Sequence, residues 1–180
     1  MQQKLENIKF VITDVDGVLT DGQLHYDANG EAIKSFHVRD GLGIKMLMDA
    51  GIQVAVLSGR DSPILRHRIA DLGIKLYFLG KLEKETACFD LMKQAGVTAE
   101  QTAYIGDDSV DLPAFAVCGA SFAVADAPIY VKNAVDHVLS TNGGKGAFRE
   151  MSDIILQAQG KSSVFDSAQG FLKSVKNMGQ

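Results

Sequence analysis

Short apolar runs alternate with amphipathic segments along most of the chain. Runs rich in β-favouring residues predict six strands, the last of them weak, at residues 8–13, 53–57, 75–79, 102–105, 121–124 and 137–138. Between them, apolar residues at helical spacing predict helices at residues 42–50, 62–72, 83–95, 111–117, 128–133 and 147–157. Gly51, Gly73 and Gly96 lie where glycine commonly ends a helix. This alternation with short links predicts a doubly wound α/β fold with a mostly parallel sheet.

One segment interrupts the alternation. Residues 23–26 and 31–38 predict two strands joined by Asp27-Ala28-Asn29-Gly30, and Asn-Gly is a strong hairpin-turn signal. The hairpin carries five apolar residues: Leu24, Tyr26, Ile33, Phe36 and Val38. Because an isolated hairpin is only marginally stable in water, we expect a second subunit to cover these side chains.

The length and composition of the chain indicate its domain organisation. The chain has 180 residues, of which 46% are apolar and 22% charged, as in an ordinary globular domain. We predict one domain over residues 1–160, with a hairpin insertion at about 22–38. Residues 161–180 are rich in Ser, Lys and Gly and predict a flexible tail. Its apolar residues Val164, Phe165, Phe171 and Leu172 leave room for docking on binding.

Charge and hydropathy exclude several classes of partner. The formal net charge is −4, so no basic excess is available to bind nucleic acid or an anionic membrane. No apolar stretch approaches the ~20 residues of a membrane span, and residues 1–4 lead into no signal core. We therefore expect a cytoplasmic protein. Cys88 and Cys118 lack metal-ligand spacing and are expected to be buried, reduced thiols.

Polar side chains follow the predicted strands at the end where ligands bind in an open α/β sheet. The first strand is followed by Asp14 and Asp16, and the second by Ser58-Gly59-Arg60. Lys84 opens the helix after the third strand, and the fourth is followed by Gly106-Asp107-Asp108, with Asp111 one turn later. We expect these groups to converge on one crevice.

The residue types suit phosphoryl transfer. Asp14 can attack phosphorus, and an unperturbed aspartate with a pKa near ~3.9 is ionised at neutral pH. Mg²⁺ between Asp14 and Asp107 would relieve the repulsion among carboxylates and phosphate. Ser58 can donate to a phosphoryl oxygen, and Lys84 can neutralise the nucleophile and the phosphate.

Asp16 lies two residues beyond Asp14, so an extended backbone would project both side chains the same way. Crowding by a like charge raises the pKa of one carboxyl group, which suits a general acid. Asp16 would then protonate the leaving alkoxide and later activate water as a base. Gly17 lets the chain turn sharply just afterwards.

Each feature alone has an ordinary structural explanation. Asp-x-Asp is usually a turn or a cap, Leu-Ser-Gly-Arg a helix start, Gly-Asp-Asp a loop, and a lone lysine a solvated helix residue. Their occurrence together, at successive strand ends, favours a functional site. No Gly-x-x-x-x-Gly-Lys-Ser/Thr or Gly-x-Ser-x-Gly pattern is present, which disfavours a P-loop kinase and a serine hydrolase.

Over residues 8–124 these motifs resemble the haloacid dehalogenase superfamily. The resemblance implies that Asp14 and Asp107 bind Mg²⁺ by their side chains and Asp16 through its backbone carbonyl. Asp16 also favours a phosphatase over the dehalogenase branch, which lacks that acid. Lys81 rivals Lys84 for the third motif, but Lys84 is preferred because it opens the helix. Only 37 residues separate Thr20 from Ser58 and 25 separate Ser58 from Lys84, too few for a cap domain.

A narrower resemblance covers nearly the whole chain. The hairpin, Phe36-His37-Val38-Arg39-Asp40-Gly41 and the segment at 142–150 resemble the 3-deoxy-D-manno-octulosonate 8-phosphate phosphatase family. The resemblance implies a homotetramer built through the hairpins, and release of phosphate from an eight-carbon sugar acid in lipopolysaccharide biosynthesis. It also implies that the tail can reach a neighbour's site. The expected substrate-binding residues are Asp16, Arg39, Asp40, Gly41, Arg60, Arg68 and Lys84, with His67 a weaker candidate.

Two alternatives stay open. The first is a phosphatase for a nine-carbon sialic-type sugar acid phosphate or for sugar phosphates broadly. The second is a catalytically silent oligomerisation module, of the kind attached to sugar-nucleotide synthetases. Asp14, Asp16, Lys84 and Asp107 are all present and no synthetase is fused, which favours an enzyme.

Overall fold

A central parallel sheet organises the molecule. The computed structural model describes residues 2–178, with side chains described as far as residue 175. Six strands lie in the order β5-β4-β1-β6-β7-β8, and every neighbouring pair is parallel. A separate antiparallel hairpin pairs β2 with β3. The strands are β1 (Phe10–Thr13), β2 (His25–Asp27), β3 (Gly30–Ile33), β4 (Gln53–Leu57), β5 (Leu76–Phe78), β6 (Thr102–Gly106), β7 (Ala120–Ala123) and β8 (His137–Val138).

Helices connect the strands and cover the sheet. They are α1 (Gln2–Glu6), α2 (Val38–Asp49), α3 (Pro63–Leu72), α4 (Lys84–Ala95), α5 (Leu112–Val117), α6 (Ile129–Lys132), α7 (Ala147–Ala158), α8 (Ser163–Asp166) and α9 (Ala168–Met178). Their boundaries follow local chemistry. Ser62 Oγ accepts a hydrogen bond from the Leu65 amide at the start of α3, and Gly73 ends the helix at φ 76°.

Strand order fixes where a ligand can bind. From β1 the chain moves through α2 to β4 and through α3 to β5 at one edge, then returns through α4 to β6 on the other side of β1. Right-handed crossovers place α2 and α3 on one face and α4 and α5 on the other. The order therefore reverses between β1 and β6, and the crevice at their carboxyl ends is the expected site. The predicted doubly wound α/β fold is confirmed.

Buried strands form the middle of the core. All four residues of β1, all of β7 and all of β6 are buried, as a sheet covered on both faces requires. Helix α2 packs against α7 beside this sheet. Its buried residues Ile44 and Leu47 are fully enclosed, as is Ile155 of α7. These layers hold the ends of β1 and β6 rigidly in register.

The hairpin region differs from the prediction in its boundaries. The strands are shorter than expected, and α2 begins at Val38, whereas the predicted helix began at residue 42. Arg39, Asp40 and Gly41 therefore lie in the first turn of α2. Phe36 is half-buried beneath the Arg68 guanidinium, 5.5 Å from ring centroid to Cζ, so its own chain covers it.

The C-terminal segment, for which the sequence predicted a flexible tail, contains helices α8 and α9. Val164, Phe165 and Phe171 pack against the core, whereas Leu172 is 62% exposed. Helix α9 contacts α2 and is amphipathic, with Phe171 packed against the core and Leu172 exposed. Within residues 2–178, no helix is both long enough and apolar enough to cross a lipid bilayer. Cys88 is buried as predicted and Cys118 is only partly buried; both are free thiols.

Candidate active site

Asp14 lies at the carboxyl end of β1, where the sheet order reverses. Its backbone amide donates to the Ile105 carbonyl of β6, which extends the parallel pairing one residue past the strand. The side chain is almost completely buried. The adjacent chain then turns, and the Val15 carbonyl accepts from the amides of Leu19 and Thr20. This turn fixes the Asp14 carboxylate toward the crevice.

Lys84 supplies the positive charge beside Asp14. Its Nζ lies 3.1 Å from Asp14 Oδ1 and 2.6 Å from Asp111 Oδ1, and the side chain is fully buried. Asp111 Oδ1 also accepts from the Tyr104 hydroxyl at 2.6 Å, and its Oδ2 accepts from the amides of Asp107 and Asp108 at 2.9 and 3.2 Å. Asp111 therefore orients both Lys84 and the loop that carries Asp107. Lys81 is exposed and contacts the Ser58 carbonyl only through its amide, so Lys84, not Lys81, lies against Asp14.

Two glycines allow the acidic loops to approach each other. Gly17 has φ 89°, and a Cβ added there would overlap the Asp107 carboxylate. A Cβ at Gly106 would overlap the Asp111 carboxylate. A side chain at Gly17 would push the β1 motif away from Asp107, whereas one at Gly106 would displace Asp111 within the β6 motif. The sequence-predicted convergence of Asp14 and Asp107 thus depends on Gly17, and Gly106 preserves the position of Asp111, which orients the Asp107 loop.

Burial and like charges make this cluster costly to ionise without a cation. Burial, opposed by Lys84 and reinforced by Asp111, raises the pKa of Asp14 to about 7. Burial, together with Asp14, Asp111 and Asp108, raises the pKa of Asp107 to about 8. The expectation that Asp14 has an unperturbed pKa near ~3.9 is therefore wrong for the chain without a cation.

The donors that remain free suit a hard divalent cation. Carboxylate oxygens of Asp14, Asp107 and Asp111 lie within 4.8 Å of one another. The four hydrogen bonds to Asp111 saturate its oxygens, which leaves Asp14 and Asp107 as ligands. Among residues 2–175, no side chain or amide donates a hydrogen bond to Asp107. Two carboxylates plus substrate oxygens and water match what Mg²⁺ requires.

Asp16 lies at the crevice in an alternating charge network that we call the hairpin ion cluster: Asp16, Glu31, Lys34 and Arg60. Lys34 Nζ contacts Asp16 Oδ1 and lies 3.3 Å from Glu31 Oε1. Arg60 Nε lies 3.9 Å from Asp16 Oδ2, and its terminal nitrogen donates to the Tyr26 hydroxyl at 2.5 Å. The sequence-predicted Asp16 and Arg60 thus meet, beside two residues that the sequence analysis had not singled out.

Ser58 is buried directly after β4, and its Oγ accepts from the Arg60 amide at 3.1 Å. Its amide donates to the Phe78 carbonyl and its carbonyl accepts from the Lys81 amide, so the end of β5 and the loop after it hold the Ser58 backbone. This places the hydroxyl at the same edge of the sheet as Asp14. Its hydrogen atom remains available to a phosphoryl oxygen.

Four expected substrate-binding residues lie elsewhere in this chain. Asp40 and Gly41 line a small enclosed space beside Arg68, and Asp40 Oδ1 accepts from the Arg149 amide at 2.9 Å. A Cβ at Gly41 would lie 2.6 Å from an Arg68 nitrogen. Arg39 and His67 are exposed. Within the described residues, no hydrogen bond or ion pair joins these residues to Asp14 or Asp16.

A polar cleft of about 230 Å³ opens beside the acidic loops. Its lining includes Gly17, Asp21, Asp107, Asp108 and Asp126. The Gly143 amide donates to Asp126 Oδ1 at 2.9 Å, and the Gly144 amide donates to the Val18 carbonyl. The segment at 142–146 therefore braces the turn after Asp14. The cleft leaves Asp107 accessible from solvent beside this turn.

Comparison with known proteins identifies the family. A sequence model of haloacid dehalogenase-like hydrolases matches residues 78–151. The chain is 95% identical over 180 residues, covering 100% of both chains, to the 3-deoxy-D-manno-octulosonate 8-phosphate phosphatase of Haemophilus influenzae. The chain belongs to the 3-deoxy-D-manno-octulosonate 8-phosphate phosphatase family of the haloacid dehalogenase superfamily.

Solved structures of this family share the fold. A cobalt-bound form of the phosphatase from Haemophilus influenzae superposes with a TM-score of 0.94 at 95% identity, covering 94% of this chain and 99% of that one. The Moraxella catarrhalis phosphatase, in complex with magnesium ion, phosphate ion and KDO, superposes with a TM-score of 0.88 at 38% identity, covering 91% and 94%. Both resemblances to families stated from the motifs are confirmed.

The raised pKa values predict a pH dependence of stability for this family member. Between about pH 4 and 8 the folded chain without cation keeps protons on Asp14 and Asp107 that the unfolded chain releases. Its free energy of unfolding should therefore fall as pH rises through this window. We expect the melting temperature without Mg²⁺ to drop by about 5 °C or more from pH 6 to 8, beyond any change in Asp107→Asn.

Mg²⁺ should reverse that trend, because it binds only the ionised carboxylates. We expect the stabilisation by excess Mg²⁺ to grow from pH 6 to 8, and to be largely absent in Asp107→Asn. Differential scanning fluorimetry at both pH values, with and without the cation, measures this. Equal shifts in the unmodified chain and Asp107→Asn would remove Asp107 from the metal site.

Proposed function

We propose that the chain is a Mg²⁺-dependent phosphatase that hydrolyses 3-deoxy-D-manno-octulosonate 8-phosphate to the free sugar acid and phosphate, in lipopolysaccharide biosynthesis. The main support is 95% identity over the full length to the 3-deoxy-D-manno-octulosonate 8-phosphate phosphatase of Haemophilus influenzae. The chain also has the residues that the mechanism needs, Asp14, Asp16, Lys84 and Asp107. Lys84 Nζ lies 3.1 Å from Asp14 Oδ1, and carboxylate oxygens of Asp14 and Asp107 lie within 4.8 Å of each other. The Moraxella catarrhalis relative, solved with magnesium, phosphate and KDO, supports the ligand classes.

In the first step, an Asp14 carboxylate oxygen attacks phosphorus, and the bond from phosphorus to the sugar oxygen breaks. Asp16 gives its proton to the departing alkoxide. Lys84 and Ser58 hold the charge on the phosphoryl oxygens. A bound Mg²⁺, held by Asp14, Asp107 and the Asp16 backbone carbonyl, would supply further neutralisation of that charge. Within the described residues, the Asp16 carbonyl accepts no backbone hydrogen bond, which leaves it available.

In the second step, Asp16 acts as a base and takes a proton from a water molecule that attacks the phosphorus of the aspartyl phosphate. The bond from phosphorus to Asp14 oxygen breaks, and Asp14 and phosphate are released. One water is consumed, its proton remains on Asp16, and the enzyme returns to its starting state. Lys84 stays within reach of Asp14 throughout, since Asp111 anchors its other side.

Substrate choice requires recognition of a carboxylate as well as a phosphate. Arg60 is 41% exposed at the crevice and carries a guanidinium suited to planar carboxylates. Arg39 is exposed and Arg68 is partly exposed, and neither contacts Asp14 or Asp16, so we propose that these two residues serve a neighbouring subunit's site. Asp40 and Gly41 are buried, so we propose that they contribute by fixing the first turn of α2, which carries Arg39. A homotetramer in the cytoplasm is the assembly and location that we propose.

Phosphate release tests the function directly. The panel contains 3-deoxy-D-manno-octulosonate 8-phosphate, a nine-carbon sugar acid phosphate, hexose phosphates and p-nitrophenyl phosphate, each with Mg²⁺ and with a chelator. We expect strong Mg²⁺-dependent preference for the eight-carbon acid. Preference for the nine-carbon acid phosphate would make that compound the substrate instead. Equal rates with all compounds would contradict the proposed substrate specificity, and no turnover of any compound would favour the oligomerisation module.

The oligomer has its own test. Ile33 and Val38 are 58% and 79% exposed at the hairpin, as expected of side chains that another subunit covers. We expect Ile33→Glu to convert a tetramer to smaller species in light scattering. Leu172→Glu, at a 62% exposed position in α9, is the matched control and should stay tetrameric. Tetramers in both variants would exclude the hairpin as the interface.

A further inference from the structure

Lys34 is a buried charge that the mechanism has not used. It follows β3 on the hairpin, and only 2% of its side chain is exposed. Burying an ammonium group is unfavourable unless carboxylates surround it. Its two partners are Asp16 Oδ1 and Glu31 Oε1. A lysine placed only to fasten the hairpin could pair with any surface acid, whereas this one contacts the proposed general acid.

The second carboxylate oxygen of Asp16, Oδ2, remains available for proton transfer. Asp16 Oδ2 is buried and has no hydrogen-bond partner among the described residues, and Arg60 Nε approaches it only to 3.9 Å. Lys34 therefore fixes one carboxylate oxygen, while the other is left without a hydrogen-bond donor. Asp16 is itself 20% exposed, so without this contact its carboxylate could rotate into solvent.

Glu31 keeps Lys34 in place from the opposite side. Its Oε1 lies 3.3 Å from Lys34 Nζ and 3.7 Å from an Arg60 terminal nitrogen, and 9% of its side chain is exposed. The Tyr26 hydroxyl, also on the hairpin, holds the Arg60 guanidinium at 2.5 Å. Both cations that flank Asp16 are thus oriented by hairpin residues, which links the geometry of the acid to the hairpin.

We propose that Lys34 is a positioning residue for the Asp16 carboxyl group, and that Glu31 holds Lys34 in the orientation this requires. The inference rests on the proposed function, because it assumes that Asp16 transfers a proton to the leaving group. The hairpin then has a part in catalysis within its own chain, separate from any contact it makes with another subunit. Lys34 is not a catalytic residue in this account, since it acts through Asp16.

A leaving-group comparison separates positioning from folding. A sugar phosphate leaves as a poor alkoxide that needs the acid, whereas p-nitrophenolate leaves without help. The comparison uses the single-turnover rate of the first step, because hydrolysis of the aspartyl phosphate also needs Asp16 and is common to both substrates. We expect Lys34→Met to lower that rate about 100-fold for the sugar acid phosphate and less than about 5-fold for p-nitrophenyl phosphate, within the range of one acid catalyst. Lys34→Arg, which can still donate to Asp16, should recover most of the lost first-step rate.

Glu31→Gln extends the test without touching Lys34 and serves if Lys34→Met does not fold. It should lower the first-step rate for the sugar substrate about 10-fold, with a smaller effect on p-nitrophenyl phosphate. Lys4→Met, which breaks the exposed ion pair to Asp136, is the control and should leave both substrates unaffected. The inference would be overturned if Lys34→Met lowered the first-step rates of the two substrates equally, or lowered neither. If Lys34→Met does not fold, the same outcomes in Glu31→Gln would overturn it. An unmodified chain that turns over neither substrate would instead overturn the proposed function.

Discussion

Asp14→Asn should abolish turnover while leaving the chain folded. The amide cannot attack phosphorus, so we expect phosphate release to fall by at least about 10³-fold with every substrate, including p-nitrophenyl phosphate. Without Mg²⁺ the variant should be at least as stable as the unmodified chain near pH 8, because it replaces a buried carboxylate whose pKa burial raises to about 7. Steady-state kinetics and thermal unfolding measure the two effects.

Asp153→Asn is the matched control, since the same substitution there removes only a partly exposed ion pair with Arg149 on α7. We expect it to retain full activity. Substantial turnover by Asp14→Asn, above what contaminating unmodified chain explains, would contradict Asp14 as nucleophile. Loss of folded structure in Asp14→Asn near pH 8 would contradict the raised pKa.

Lys84→Met should damage both stability and activity. Lys84 is the ammonium group between Asp14 and Asp111, and both partners and its own side chain are buried. Removing one partner of a buried ion pair leaves an uncompensated charge and costs about 3–5 kcal/mol in free energy of unfolding. Phosphate release should also fall by about 10²–10³-fold, because the phosphoryl charge loses a preorganised partner.

The pH dependence identifies the cause of that destabilisation. Without Lys84 the buried carboxyl groups bind protons still more tightly in the folded state, so stability should fall more steeply as pH rises from 5 to 8. Lys93→Met, on the exposed side of the same helix, is the control. Urea unfolding at both pH values measures the free energy of unfolding of each variant. Equal stability of Lys84→Met and Lys93→Met at pH 8 would show that Lys84 does not compensate the charge of the buried carboxylates.

Much of the site was predictable from the sequence because parallel strands bring their carboxyl ends to one edge. Asp14, Ser58 and Asp107 each follow a strand whose apolar run is unambiguous. Lys84 follows Glu83, which caps the helix by accepting from the Thr86 amide, so a local signal placed the lysine at a helix start. Strand order then determines which groups meet.

The start of α2 could not be read from local propensity. Gly41 and Gly43 lower the helix propensity of its first turns, so the predicted helix began at residue 42. In the structure these glycines allow close packing, because a Cβ at Gly43 would lie 2.5 Å from Ser152 Oγ of α7. Tertiary contacts therefore override the local preference at the start of α2. The sequence also did not predict α8 and α9, because Val164, Phe165 and Phe171 pack against the rest of the fold, a contact that local sequence does not show.

The hairpin ion cluster and Tyr104 lie beyond what sequence patterns reveal. Lys34 and Glu31 look like ordinary strand residues, and only the fold of the hairpin brings them to Asp16. Tyr104 lies within a buried strand, where its apolar ring explains its presence, yet its hydroxyl donates to Asp111. Burial raises its pKa well above the ordinary value, which keeps this donor neutral.

The mechanism passes through a covalent phosphate on Asp14, and Asp16→Asn gives the most direct access to that intermediate. This variant keeps the backbone carbonyl and the nucleophile but lacks the base for the second step. Mixed with Mg²⁺ and p-nitrophenyl phosphate, it should release a burst of about one p-nitrophenolate per active site. Acid quenching, borohydride reduction and peptide mass spectrometry should then find homoserine in place of Asp14. A burst with the modified residue elsewhere, or slow release with no burst and no modified aspartate, would contradict the account.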